Sequence, residues 1–368
     1  MMRHTRALLE LYRQNGQLSS NLARRHVRPV CAVKFTKAEA EFYEMLESYC
    51  KGLSEQIRKN NPESRQVMLF LLNFLQLRFA SCFYAIQKTL ERRLKRVKNT
   101  LLLGYVPSSE EELKDLLDAL KNDEDDYSEG DLDNITMDAL LKDRSEKDLK
   151  WEEEKLNEML AKLSAMHETP SKMQSLFREL DARRQGNGRL RQTVLFTRFY
   201  DTISSIRKYL SIVEPSMRLG IYAGGNKAMW FDPGCQKDCN TSHEEIKKKF
   251  LAGEIDLLLC TDAAAEGLNL QTADLLINFD LGWNPMKIEQ RIGRIDRIGQ
   301  KYTDIDVLNM CYLGSTEQIV YGRLLERLKQ ANLIVGAQQV SLLPVTQEEF
   351  SKLLYRFLNS YIFRECFY

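Results

Sequence analysis

Apolar and polar positions follow two textures along this chain, and the change falls near residue 190. Before it, apolar residues recur at helical spacing. In FTKAEAEFYEMLESYCKGL, Phe42, Met45, Leu46 and Tyr49 share one face of a helix beginning after Thr36. Residues 65–103 predict one long helix or two. The first half, VMLFLLNFLQLRF, is apolar nearly all round and belongs in a core. The second, KTLERRLKRVK, sets Lys88, Arg92, Arg93, Lys95, Arg96 and Lys98 against Glu91, which reads either as a solvated face or as a surface turned toward phosphates. Helical pattern returns at 146–165 and 171–184, and Gly186-Asn187-Gly188 marks a loop.

After Gln192, short apolar runs alternate with helical stretches. The runs are TVLFT, RLGIYAG, DLLLCTD, DLLINFD and DVLNMCYL. The helices fall near 201–212, 242–252, 286–298 and 316–330, with a loop between RLGIYAG and the second helix. Strands apolar on both faces and separated by helices predict a parallel sheet covered on each side, an α/β class preceded by a largely helical region. Ligand chemistry in such sheets gathers where strands end and loops begin.

Composition changes the picture at one place. Residues 106–133 hold twelve Asp or Glu and two Lys, with Pro107, Ser108, Ser109 and Gly130 as breakers. Like charges repel and little apolar area is available, so 106–145 is expected to be an acidic flexible insertion. Elsewhere the 368 residues are balanced, with 53 basic and 52 acidic side chains and a net charge of +1. That balance excludes a protein gripping nucleic acid through bulk positive charge and leaves local basic surfaces. The eight cysteines form no regular framework, so reduced thiols in a cytoplasm are expected. No secretory h-region or membrane-length apolar run stands out. Cys235, Cys239 and His243 have zinc-like spacing but no evident fourth ligand, so no metal site is expected.

Three segments carry candidate chemistry. TDAAAEGLNLQTAD (261–274) follows DLLLC; DLGWNP (280–285) follows LLINF; QRIGRIDRIGQ (290–300) comes next. On a helical wheel Ile288, Ile292 and Ile295 cluster within about 80°, and Gln290, Arg294 and Arg297 within about 60° on the opposite side. Guanidinium forks suit a place where phosphate charge builds up. An ordinary basic amphipathic helix, with Glu289 and Asp296 as partners, fits the same residues. Thr261 and Asp262 end their strand, Gly267 lets a nucleic-acid backbone approach, and Asn269 could hold a phosphate; a plain strand-to-helix turn is the alternative. Asn284 and Pro285 suit the start of the following helix.

Taken in order and at this spacing, TD-x-A-x-EGLNLQ, D-x-x-WNP and Q-R-x-GR-x-DRIGQ resemble the second RecA-like lobe of Swi/Snf-type helicase-like ATPases of superfamily two, most closely the RapA-like branch. QTVLFTRF and IYAGG resemble the lobe's first two strands; MRHTR, FTKAEAEFYEML and RFASCFYAIQKTLERR resemble the region preceding it. The resemblance implies a lobe that supplies arginine fingers to ATP and Mg2+ held by a first lobe. Arg294, Arg297 and Gln290 would be the catalytic set. Thr261, Asp262, Glu266, Gly267, Leu268, Asn269, Thr197 and Arg198 would couple ATP to nucleic acid, duplex DNA being the expected substrate. RNA polymerase is a further partner the branch suggests. A non-enzymatic module binding nucleic acid or protein is the alternative.

None of the 18 glycines is followed by lysine, and Asp123-Glu124 lies in the acidic stretch rather than after a strand. A phosphate loop and its metal-binding acid are thus expected on a lobe elsewhere, in cis or as a separate chain, with the gene truncated or split, and this chain alone is expected to be inactive. The expected division is 1–35, the end of lobe one; 36–105, helical; 106–145, the insertion; 146–190, a helical lead-in; 191–332, the RecA-like lobe; 333–368, a helical extension.

Overall fold

A computed structural model of the chain describes residues 12, 15, 23–60, 74–104, 141, 144–224, 227–233, 237–262, 268–281, 285–318 and 321–322. The acidic stretch, the 333–368 extension, Glu266, Gly267, Trp283 and Cys235 lie outside the described residues.

Two edge strands come first, β1 (Arg24–Val27) and β2 (Cys31–Val33), followed by the helices α1 (Lys37–Asn60), α2 (Phe83–Leu103), α3 (Glu146–Ala165) and α4 (Ser171–Asp181). The alternating region contains β3 (Thr193–Thr197), α5 (Tyr200–Val213), β4 (Leu219–Ala223), β5 (Lys227–Asp232), β6 (Lys237–Asn240), α6 (His243–Leu251), β7 (Leu257–Thr261), β8 (Leu275–Asn278), α7 (Pro285–Ile292) and β9 (Asp304–Tyr312). The order across the sheet is β1-β9-β8-β3-β7-β4-β5-β6, with β2 also pairing β9.

From β1 to β4 every pairing is parallel, as expected from strands apolar on both faces. Alternate residues serve opposite sides. Val194, Phe196, Leu258 and Cys260 pack with Ile246, Phe250, Ile288 and Ile292 of α6 and α7. Leu195, Leu257 and Leu259 pack with Met173, Leu176, Ile203 and Ile206 of α4 and α5. At about 25 cal/mol per Å² of buried apolar area, these two layers are the main stabilisation of the sheet.

The loop expected after RLGIYAG is instead a pair of strands, β5 and β6, antiparallel to their neighbours. A hairpin satisfies the backbone of AMWFD and KDCN, which the sheet edge would otherwise leave unpaired. Residues 24–33 likewise join the sheet, alongside β9.

In the helical region, residues 74–81 form one helix and α2 a second, broken at Cys82, whose extended backbone and thiol cap the N-terminus of α2. Residues 74–82 are buried throughout, as an apolar-all-round segment requires. One member of the expected basic face departs from it: Arg93 points inward and pairs with Glu152. The face α2 turns to solvent is therefore narrower than the composition of KTLERRLKRVK suggests.

Candidate functional site

The polar residues that end β3, β7 and β8 converge at the carboxyl edge of the sheet. Chain order places β4 and β7 on one side of β3 and β8 and β9 on the other, the switch in strand order beside which open α/β sheets take their ligands.

Asp280, directly after β8, organises one half of this edge. It is 3% exposed and accepts hydrogen bonds from Thr197 Oγ1 at 2.5 Å, the Arg198 backbone N–H at 2.8 Å and Ser81 Oγ at 2.6 Å. Three donors satisfy a carboxylate that would be costly to bury alone. Thr197 is fully buried in this arrangement, and Arg198 is fixed through its backbone.

Arg291 organises the other half. Its Nε and Nη2 donate to the two oxygens of Asp262 at 2.5 and 2.6 Å, and its Nη1 donates to Asn278 Oδ1 at 3.0 Å and the Asp280 carbonyl at 2.9 Å. One guanidinium thus ties α7 to the ends of both β7 and β8. Only arginine offers a rigid fork for the bidentate half of this contact and a third nitrogen for the rest. Neither Arg291, Asp280 nor Ser81 was singled out from the sequence. Arg291 sits beside Gln290 in the same motif, and the signal that could have found it is its place on the wheel next to Ile288, on the sheet side.

The helix expected over 286–298 ends at Ile292. From there the chain turns tightly, with Arg294 N–H donating to the Arg291 carbonyl and Ile295 N–H to the Ile292 carbonyl. The competing partner is the 268–274 loop. Leu270 N–H takes the Arg294 carbonyl at 2.9 Å, Gln271 Nε2 takes the Ile298 carbonyl at 2.5 Å, and Gln300 Nε2 takes the Ala273 carbonyl at 3.0 Å. Gly299 at φ +88° closes the turn, with Gln271 side-chain atoms 3.4 Å from where a Cβ would stand. The isoleucine cluster survives the change: Ile288, Ile292 and Ile295 are all buried.

Arg297 lies in that turn. Its Nε donates to the Gly293 carbonyl at 2.8 Å and its Nη1 to Asn269 Oδ1 at 3.1 Å. The two motifs therefore meet directly, side chain to side chain. Arg294 and Gln290 are partly buried on the same segment, and Leu268 is buried beneath the loop. Thr261 Oγ1 accepts from Gly224 N–H at 3.1 Å, linking the end of β7 to the loop after β4.

Glu289 and Asp296, weighed as partners for the arginines, are held by Arg25 of β1 at 3.1 and 2.8 Å. Burial raises the Glu289 carboxyl, and Arg25 opposes the rise. His243, weighed as a zinc ligand, lies tilted against the Tyr222 ring and bonds the Ala223 carbonyl at 3.0 Å.

The helicase conserved C-terminal domain matches residues 171–299. An uncharacterised ATP-dependent helicase of Bacillus subtilis, YqhH, is 42% identical over 89 residues, which are 24% of this chain and 16% of that protein. The RNA polymerase-associated protein RapA of Vibrio cholerae is 49% identical over 71 residues, 19% of this chain and 7% of that protein. The matched stretches thus span under a fifth of the length of these relatives. Among solved structures, the C-terminal part of the Fun30 ATPase domain aligns with 82% of this chain and 89% of that one, at 15% identity and a TM-score of 0.43. Residues 171–299 are thus a helicase conserved C-terminal domain, and the chain shares stretches of sequence with an ATP-dependent helicase and with RapA.

Proposed function

We propose that this domain is the second motor lobe of a nucleic-acid-dependent ATPase. Arg294 and Arg297 would reach ATP and its Mg2+ on a first RecA-like lobe. The contact that carries this reading is Arg297 to Asn269 at 3.1 Å. It joins a side chain suited to γ-phosphate charge to a loop suited to a nucleic-acid backbone, so displacement of either bears on the other. Gln290 lies on the same segment to orient the nucleotide, and Arg291 with Asp262 holds that segment to the sheet. Arginines placed this way are worth roughly 10³–10⁵ in rate in phosphoryl transfer. Duplex DNA is the substrate proposed from the motif resemblance, and an RNA polymerase the further partner from the name of the RapA relative.

The test is a fusion of this chain behind a first lobe bearing a phosphate loop, assayed for duplex-stimulated ATP hydrolysis. Arg294→Ala and Arg297→Ala should each lower turnover about 10³-fold while nucleotide still binds. Unchanged turnover would sink the arginine assignment. The chain without that lobe should not hydrolyse ATP, since no glycine in it precedes lysine; a robust metal-dependent rate from it would refute the two-lobe reading.

A further inference from the structure

Outside the matched domain, α2 turns a narrow basic stripe to solvent. Lys88, Arg92, Lys95 and Arg96 fall within about 100° of helix circumference. Arg93, about 110° round the helix from the stripe's centre, is buried against Glu152, so it anchors the helix and keeps this face outward. Lys88 and Arg92 side chains are 36% and 39% exposed, Lys95 is exposed and Arg96 partly so.

Two acids among the described residues reach the stripe's first turns. Glu91 bonds Lys88 at 2.8 Å. Asp201, the acid at the start of α5, lies 3.7 Å from Arg92, and the same carboxylate oxygen is already held by Arg78 at 2.5 Å. Lys98 points to the α3 side, 3.7 Å from Glu153. The four cations Lys88, Arg92, Lys95 and Arg96 thus outnumber Glu91 and Asp201, the acids that reach Lys88 and Arg92.

Position gives this charge a partner. Ser81, one residue before the cap of α2, bonds Asp280 at the carboxyl edge of the sheet. Asp201, beneath Arg92, stands three residues beyond Arg198. The N-terminal end of α2 thus lies at the carboxyl edge of the sheet, and the stripe runs outward from it. From Lys88 to Arg96 it extends about 12 Å at 1.5 Å per residue, the axial rise of roughly three phosphates on one strand.

We propose that the exposed stripe of α2 binds the phosphodiester backbone of a duplex leaving the motor site, as an electrostatic track outside the lobe. This rests on the reading of the lobe as nucleic-acid-dependent. Contacts of this kind position a duplex without reading its sequence.

The test uses the full chain and a fluorescein-labelled 20-base-pair duplex, as DNA and as RNA, with anisotropy titrations across a range of KCl. The triple variant K88Q/K95Q/R96Q removes three exposed cations. K147Q/K150Q/K155Q removes as many from α3 and controls for net charge. The stripe variant should weaken binding about tenfold or more near 150 mM salt. It should also flatten the log–log salt slope by about two to three, with the control near the parent. Equal losses for DNA and RNA duplexes mark backbone recognition as the shared chemistry.

Parent-like affinity and slope in the stripe variant overturn the track while leaving the motor-lobe reading intact. A control that weakens binding as much as the stripe variant overturns it too, by showing that bulk charge decides. A parent chain that ignores duplex even at low salt overturns the track. Duplex stimulation of the two-lobe fusion then decides separately whether the motor reading survives.

Discussion

In the helical region built by α1, α2 and α3, charge sits at the centre of the core. Glu152 is fully buried and accepts from Tyr49 Oη at 2.7 Å, Arg93 Nε at 2.6 Å and Arg144 Nη1 at 2.8 Å, and Arg144 reaches on to Gln56. In the sheet lobe the interior of β3, β7 and β8 is apolar on both faces, and charge sits at the strand ends, around Asp280 and Asp262 at the carboxyl edge and Asp256 and Asp274 at the amino edge. A buried, fully partnered carboxylate adds little net stability but makes its loss expensive, so it fixes how helices dock. Charge at a strand edge can meet a ligand. The contrast assigns alignment to the first region and chemistry to the second.

The largest effect should come from breaking the helical network. Glu152→Gln leaves two guanidiniums without their carboxylate and should cost about 3–5 kcal/mol, read from urea denaturation. A loss under about 1 kcal/mol would show that water reaches the site and that the network does not fix the docking.

Acid should separate the two regions next. Burial alone would raise the Glu152 carboxyl, but Arg93 and Arg144 outweigh it and hold the group at about 2. Its folded value lies below its unfolded one of about 4.5, so its contribution is full above that value and is lost as pH falls through about 2. The window corresponds to about 3 kcal/mol. In the sheet lobe the sign reverses at Glu317. Burial dominates there and lifts the carboxyl to about 7 despite Lys172 at 2.7 Å. The folded state then binds the extra proton, and stability falls as pH rises from about 4.5 to about 7. Denaturation of the chain, of E152Q and of E317Q at several pH values should show opposite slopes removed by the two substitutions. Parallel slopes would erase the contrast.

The smallest stability effect should be at the edge itself. Arg297→Ala gives up bonds to Asn269 and Gly293 on a partly exposed segment and should cost about 1 kcal/mol or less. A loss near that of E152Q would make Arg297 a structural side chain and weaken its catalytic assignment.

Much of this was legible in the chain. TVLFT, LLLCT and LLIN announced buried parallel strands, while for 65–103 the sequence left one long helix or two open. The β5–β6 hairpin was not legible, because its residues gain a ladder only by standing beside β4. Nor was the early end of α7. A wheel assumes that each carbonyl stays with its own helix, whereas Leu270 and Gln271 draw the Arg294 and Ile298 carbonyls away.

By itself the sequence determined the class of the fold, the order of its buried parallel strands and the helices between them, and the motifs that fall at the ends of β7 and β8, because periodicity and turn residues act over a few neighbours. Tertiary structure alone decided which arginine does what. Arg291, Arg294 and Arg297 lie within seven residues of one another and have the same chemistry in isolation. Arg291 is buried between Asp262 and Asn278, while Arg297 is turned to Asn269, since those partners arrive from strands and loops distant in the chain and meet only when the sheet closes.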